Sequence, residues 1–208
     1  MAPRHQHHSW AGTPKGDGPA IAAATPIQLT GPRTPQVGVP MPDLADRLPL
    51  REVSGEAPLW LTGAHGGAGE STLAKLREGW RASGHAWPQH PGGGNADVVL
   101  VARTSSSGLR AAQRASTQWA AGLVPGVTLH GLVLVADAPG RLPKPLQQLA
   151  QLVGGGVPRT WVLPWVENWR LGEPVALETA PLQAKRLIEN LEEFTSGRPA
   201  RNDQKAEQ

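Results

Sequence analysis

The most specific chemistry in this sequence is carried by the run Gly63-Ala64-His65-Gly66-Gly67-Ala68-Gly69-Glu70-Ser71-Thr72. Its spacing is that of a phosphate-binding loop. In such a loop glycines let backbone N–H groups turn toward an anion, and the N-terminus of a following helix adds partial positive charge. Gly63, Gly66, Gly67 and Gly69 would form the cradle, and Ser71, followed by Thr72, stands where a hydroxyl holds Mg²⁺. Glu70 stands where these loops carry the lysine that meets the β- and γ-phosphates. Two unit charges ~4 Å apart at an effective dielectric of ~20 interact by about 4 kcal/mol, so exchanging attraction for repulsion costs up to roughly 8 kcal/mol. Each ~1.4 kcal/mol is a tenfold loss of affinity. Ordinary ATP binding does not survive that change unless Glu70 turns away or another cation substitutes. The candidate substitutes are Arg103, Arg141 and Arg170 on neighbouring loops, with His65 joining them when protonated.

The elements that would hold this loop can be read on either side of it. Leu59 to Thr62 is a short buried strand, and an amphipathic helical run extends from Ser71 to Ser83, with Leu73, Leu76 and Trp80 on one face and Gly84 at its end. His85 to Asn95 is a turn-rich insert with Trp87-Pro88 as a strand remnant. Val98-Val99-Leu100-Val101-Ala102 reads as a strand covered on both faces. The next helix aligns Leu109, Ala112, Ser116, Trp119 and Leu123, and strands follow at Leu129 to Ala136 and Thr160 to Leu163. Helices are expected over Pro143 to Val153 and Leu182 to Phe194. Strands alternating with helices imply parallel crossovers, hence an α/β domain built on a doubly wound, mostly parallel sheet of four to five strands. In such sheets ligands sit beyond the carboxyl ends of the strands, where the glycine loop, Arg103-Thr104-Ser105, Asp137 to Arg141 and Pro164 to Arg170 should converge.

Composition narrows the chemistry. The chain has no cysteine, which excludes disulfides, thiolate metal sites and thiol catalysis. A formal net charge of +3 does not make a broad nucleic-acid surface. Of eight tryptophans, Trp60, Trp80, Trp119 and Trp161 fall on apolar faces and read as core fillers, whereas Trp165 and Trp169 fall in a loop. Residues 1–55, rich in Pro, Gly, His and Thr, read as a disordered tail, 56–196 as the domain, and 197–208 as a second disordered tail. His5, His7 and His8 belong to that polar tail rather than to a metal site, and no stretch approaches the ~20 apolar residues of a membrane span. A cytoplasmic protein is expected.

The stretch His65-Gly66-Gly67-Ala68-Gly69-Glu70-Ser71 resembles the deviant Walker A loop of ParA/MinD-type ATPases, which reads Lys-Gly-Gly-x-Gly-Lys-Thr. Both lysines of that loop are replaced here. Ala96-Asp97-Val98-Val99-Leu100-Val101 is similar to a later strand of that family. The run Leu163-Pro164-Trp165-Val166-Glu167-Asn168-Trp169-Arg170-Leu171-Gly172-Glu173 is similar to its stretch near the base. Two strands that the resemblance implies, bearing the switch aspartate and the Mg²⁺-positioning Asp-Thr-Pro, have only the span from Gly84 to Asp97 in which to fit. Asp137 is then either a metal or base ligand or a turn cap. The ensemble also resembles a P-loop-like family of high-GC bacteria and their mobile elements.

Three functions stay open. One is a degenerate P-loop module, a pseudo-NTPase used for binding or regulation in plasmid or chromosome partition or in conjugative elements, with no ATP hydrolysis expected. A second is an unorthodox Mg-ATP or Mg-GTP binder in which arginines replace the loop lysine. The third is a DNA- or protein-binding adaptor whose N-terminal tail holds a protein partner. The resemblance also allows a face-to-face homodimer.

Overall fold

The two longest apolar runs become adjacent strands at the centre of a sheet and are buried on both faces, as their lack of apolar–polar alternation requires. The structure is a computed structural model and describes residues 31–195. In chain order the elements are β1 (Leu50–Glu52), β2 (Trp60–Gly63), α1 (Glu70–Ala74), β3 (Arg81–Gly84), β4 (Trp87–Gln89), β5 (Ala96–Arg103), α2 (Ser106–Ala120), β6 (Val127–Val135), α3 (Lys144–Gly154), β7 (Thr160–Leu163), α4 (Glu167–Arg170) and α5 (Leu182–Glu192). The main sheet has the order β3-β2-β5-β6-β7 with every neighbour parallel. The strand order therefore reverses between β2 and β5, which puts the switch point of a doubly wound sheet at the loops that follow those two strands.

Alternate residues of β5 feed two cores. Val98, Leu100 and Ala102 pack with Leu109, Ala112 and Trp119 of α2 and Val153 of α3, whereas Val99 and Val101 pack with Leu73 of α1 and Leu187, Ile188 and Leu191 of α5. Trp60, Trp80, Trp119 and Trp161 are buried as expected, and Trp87 joins them with no exposure. α2 opens on Ser105, whose hydroxyl accepts the Gly108 N–H at 3.2 Å. No helix among the described residues is long and apolar enough to cross a membrane.

Two expectations are corrected. The helix expected from Ser71 to Ser83 stops at Ala74, and Arg81–Gly84 forms an edge strand beside β2. Gly79, at φ +82°, takes the left-handed conformation that ends helical continuation. Trp80 keeps its place in the core. Beyond it, the buried Ser83 hydroxyl lies 2.7 Å from the Thr62 hydroxyl and donates to Ala86 O at 2.8 Å, tying the new strand to β2. The remnant at Trp87-Pro88 is β4, and its partner is β1 in a separate parallel pair.

The second correction concerns the tail expected over 1–55. From Gly31 onward it is laid against the domain, whereas residues 1–30, His5, His7 and His8 among them, and the tail 197–208 lie outside the described residues. Gly31 N–H donates to Val157 O at 3.0 Å and Gln36 N–H to Ala120 O at 2.8 Å. The main clasp is the buried Gln118 amide. Its oxygen accepts Leu48 N–H at 2.9 Å and the Trp87 indole N–H at 3.1 Å, while its nitrogen donates to Leu48 O at 2.9 Å. One side chain of α2 thus satisfies three polar groups, two from the strap and one from β4.

Gln118→Ala would leave those groups without partners. The expected loss is about 2–4 kcal/mol of stability in urea unfolding, together with earlier proteolysis of the 31–53 strap than of the sheet. A loss below about 0.5 kcal/mol would show the clasp to be dispensable.

Candidate functional site

The glycine loop leaves β2 at the switch point, and protein groups already occupy it. Gly69, at φ +106°, turns the chain into α1, whose five residues are too few to build an appreciable helix dipole. Glu70, expected at the lysine position, is 7% exposed. Its carboxyl group folds back over the loop, where Oε2 accepts Gly69 N–H at 3.0 Å. It rests on the bare Cα of Gly63, and a Cβ built there would stand 2.9 Å from both Cδ and Oε2 of Glu70. A backbone N–H of the expected anion cradle is therefore already bound to an internal carboxyl oxygen. Ser71, the expected Mg²⁺ ligand, is exposed, and Thr72 is the residue of the pair that turns toward a cavity.

His65 closes the other side of the switch point. Its Nε2 accepts the Arg103 N–H at 3.1 Å, and Nδ1 lies 2.9 Å from Gly66 O. A backbone N–H can only donate and a carbonyl can only accept, so this network places the single ring proton on Nδ1. An imidazolium has no lone pair to offer Arg103, so a protonated His65 could join the arginines only by giving up this hydrogen bond. The Arg103 side chain completes the closure, donating from Nε to Gly67 O at 3.2 Å and from Nη1 to Ala136 O at 3.0 Å. The loop after β2, the end of β5 and the end of β6 are thereby joined.

What remains open at the carboxyl ends is a cavity of about 180 Å³ displaced toward β6 and β7. Thr72, Arg103, Ala136, Trp165, Trp169 and Arg170 are among its walls. The Arg170 guanidinium lies 5.9 Å from the centre of the Trp165 ring, and the Trp165 indole N–H donates to the Glu167 carboxylate. The structure brings Gly69, Thr72, Arg103 and Arg170 to one cavity but leaves Asp137 and Arg141 out of it. Arg141 is exposed, and Asp137 is exposed with its backbone N–H donating to Thr104 Oγ1 at 3.1 Å. Sites that enclose organic ligands run from ~300 to ~1,000 Å³, so this space does not enclose a nucleoside triphosphate. A larger depression of about 390 Å³ lies at the opposite, amino ends of β2 and β3 beside Glu52, Trp60 and Arg81. It is shallow, and the Arg81 guanidinium there already donates to Ser54 O at 2.8 Å.

Gly108 is the residue of this site that sequence reasoning missed. It sits in the first turn of α2, and a Cβ there would come 2.4 Å from Arg103 O and 2.9 Å from His65 Nε2. The available signal was a glycine inside a helix that had no turn to make.

Over residues 57–185 the chain matches the model of a family of unknown function, DUF6668, and it belongs to that family. The matched span includes the glycine loop, Arg103 and the 164–170 loop, and begins after the strap and β1. No curated protein and no solved structure matches the chain.

Gly108→Ala separates the two effects of a methyl group at this position. Helix propensity favours alanine by about 1 kcal/mol, but the nearest obstacle is backbone oxygen, which cannot swing aside. A net loss of about 1–2 kcal/mol is expected in urea unfolding. Gly92→Ala, where a Cβ would meet open space, should stay within about 0.5 kcal/mol. Equal effects of the two substitutions would disprove the close packing of His65 on α2.

Proposed function

We propose that this member of the DUF6668 family is a degenerate P-loop module that works by binding a partner, without hydrolysing nucleotide, in the cytoplasm. The observation that carries the reading is the Glu70 carboxyl group folded onto Gly63 and Gly69. A terminal phosphate placed over this loop would meet a carboxylate in place of an ammonium. Three further features support it. The loop is held by His65 and Arg103 instead of being left open, Ser71 points to solvent, and the adjoining cavity is smaller than a nucleotide. Phosphoryl transfer depends on positioned cations, and the loop position that would supply the first of them is held by Glu70. Partition or conjugative assemblies are the setting suggested by the ParA/MinD resemblance.

A second reading, an ATP or GTP binder with arginine in place of the loop lysine, is favoured by one observation, the shared position of Arg103 and Arg170 at the cavity. It requires the Arg103 contacts to Gly67 and Ala136 to open.

Calorimetry with Mg-ATP and Mg-GTP, read beside the fluorescence of Trp165 and Trp169, separates the two. The wild-type chain should give no saturable signal at about 1 mM nucleotide. Glu70→Lys should bind at least about tenfold more tightly than wild type if one charge closes the loop. Saturable wild-type binding below about 1 mM would overturn the pseudo-NTPase reading.

A further inference from the structure

We infer that the cavity beyond β6 and β7 is a binding site for a small oxyanion carried on a flat apolar body, such as an aromatic carboxylate or phosphate monoester. Four observations converge on it. The charged groups on its walls are two guanidiniums, Arg103 and Arg170, and like charges facing one small space are stabilised by an anion between them. Arg103 directs Nε and Nη1 to carbonyls, which fixes the plane of its fork and leaves Nη2 for a ligand. Arg170 is held against the Trp165 ring, so its N–H edges stay available while its face is covered.

Most of the other lining side chains are apolar. Pro164, Trp165 and Trp169 offer flat surfaces suited to a ring, and Thr72 adds a hydroxyl-bearing residue. Size then sets the class. At about 180 Å³ the cavity is smaller than the ~300–1,000 Å³ of sites that enclose drug-sized ligands. That suits an oxyanion with one ring better than a ribose with three phosphates. Glu70 is not among the walls, since its carboxyl group is turned to Gly63 and Gly69. The site therefore adjoins the glycine loop, sharing Gly69 and Thr72 with it, but lies on the side away from the Glu70 carboxyl group.

The test is calorimetry on the full chain with benzoate, phenyl phosphate, inorganic phosphate and the neutral isostere benzamide, in wild type and in Arg170→Gln. Benzoate or phenyl phosphate should bind saturably in the range up to about 10 mM, and benzamide at least about tenfold more weakly. Arg170→Gln, at an exposed position, should melt like wild type and weaken the aromatic anion at least about tenfold. Trp165→Leu should weaken phenyl phosphate more than inorganic phosphate. The relative strength of benzoate and phenyl phosphate identifies which acid the site prefers. The inference is overturned if none of the anions saturates, if benzamide matches benzoate, if Arg170→Gln changes nothing, or if inorganic phosphate binds as tightly as phenyl phosphate. Saturable wild-type nucleotide binding that phenyl phosphate does not compete with would refute the pseudo-NTPase reading and leave this result standing, whereas mutual competition would make the site the nucleotide's own and overturn the inference.

Discussion

Arg103 ties the carboxyl end of the sheet together. Its backbone N–H is held by His65, its Nε by the glycine loop and its Nη1 by the end of β6. Hydrogen bonds that involve a charged group are roughly twice as strong as neutral ones, and these reach loops that follow three adjacent strands. The switch point of a doubly wound sheet is ordinarily a crevice because the chain departs from it in two directions. Here Arg103 and His65 bridge that crevice, and α2 presses a bare Cα against the imidazole to let them do so.

Once the crevice is bridged, the glycine loop has a different task. Its turns still bring β2 into α1, but Gly69 N–H meets Glu70 and two loop carbonyls face His65 and Arg103. The glycines are needed for internal packing as much as for any ligand, Gly63 because the Glu70 carboxyl group lies where its side chain would be. An open cavity lies to one side, between the glycine loop and the 164–170 loop.

The uniform runs were legible in the sequence. Val98 to Ala102 and Leu132 to Val135 are apolar without alternation, and only a strand buried on both faces suits such a run. β3 was hidden because Leu73, Leu76 and Trp80 keep helical spacing up to the residue before it, and Arg81-Ala82-Ser83-Gly84 has no strand-like pattern of its own. It pairs with β2 through a parallel backbone ladder reinforced by the Thr62–Ser83 hydroxyl contact, tertiary terms that local propensity does not contain. The strap was hidden for a similar reason. Its sequence is broken by Pro and Gly and keeps no strand or helix period, and it is held by Val39, Leu48 and Val53 packed on the core and by hydrogen bonds to residues far along the chain. At the site, the loop's position and the nearness of Arg103 and Arg170 followed from topology. The turn of Glu70, the tie of His65 to Arg103 and the exchange of Ser71 for Thr72 depended on side-chain directions that spacing does not fix.

The Gln118 clasp also dictates an order of assembly. Leu48 is made long before the residue that receives it, because 70 positions of chain separate the two. While the protein is being synthesised, the strap must wait, extended and unsatisfied, until α2 has emerged and closed onto β5. Closing so large a loop carries an entropic cost that local contacts do not meet. Docking of the strap is therefore a late event in folding.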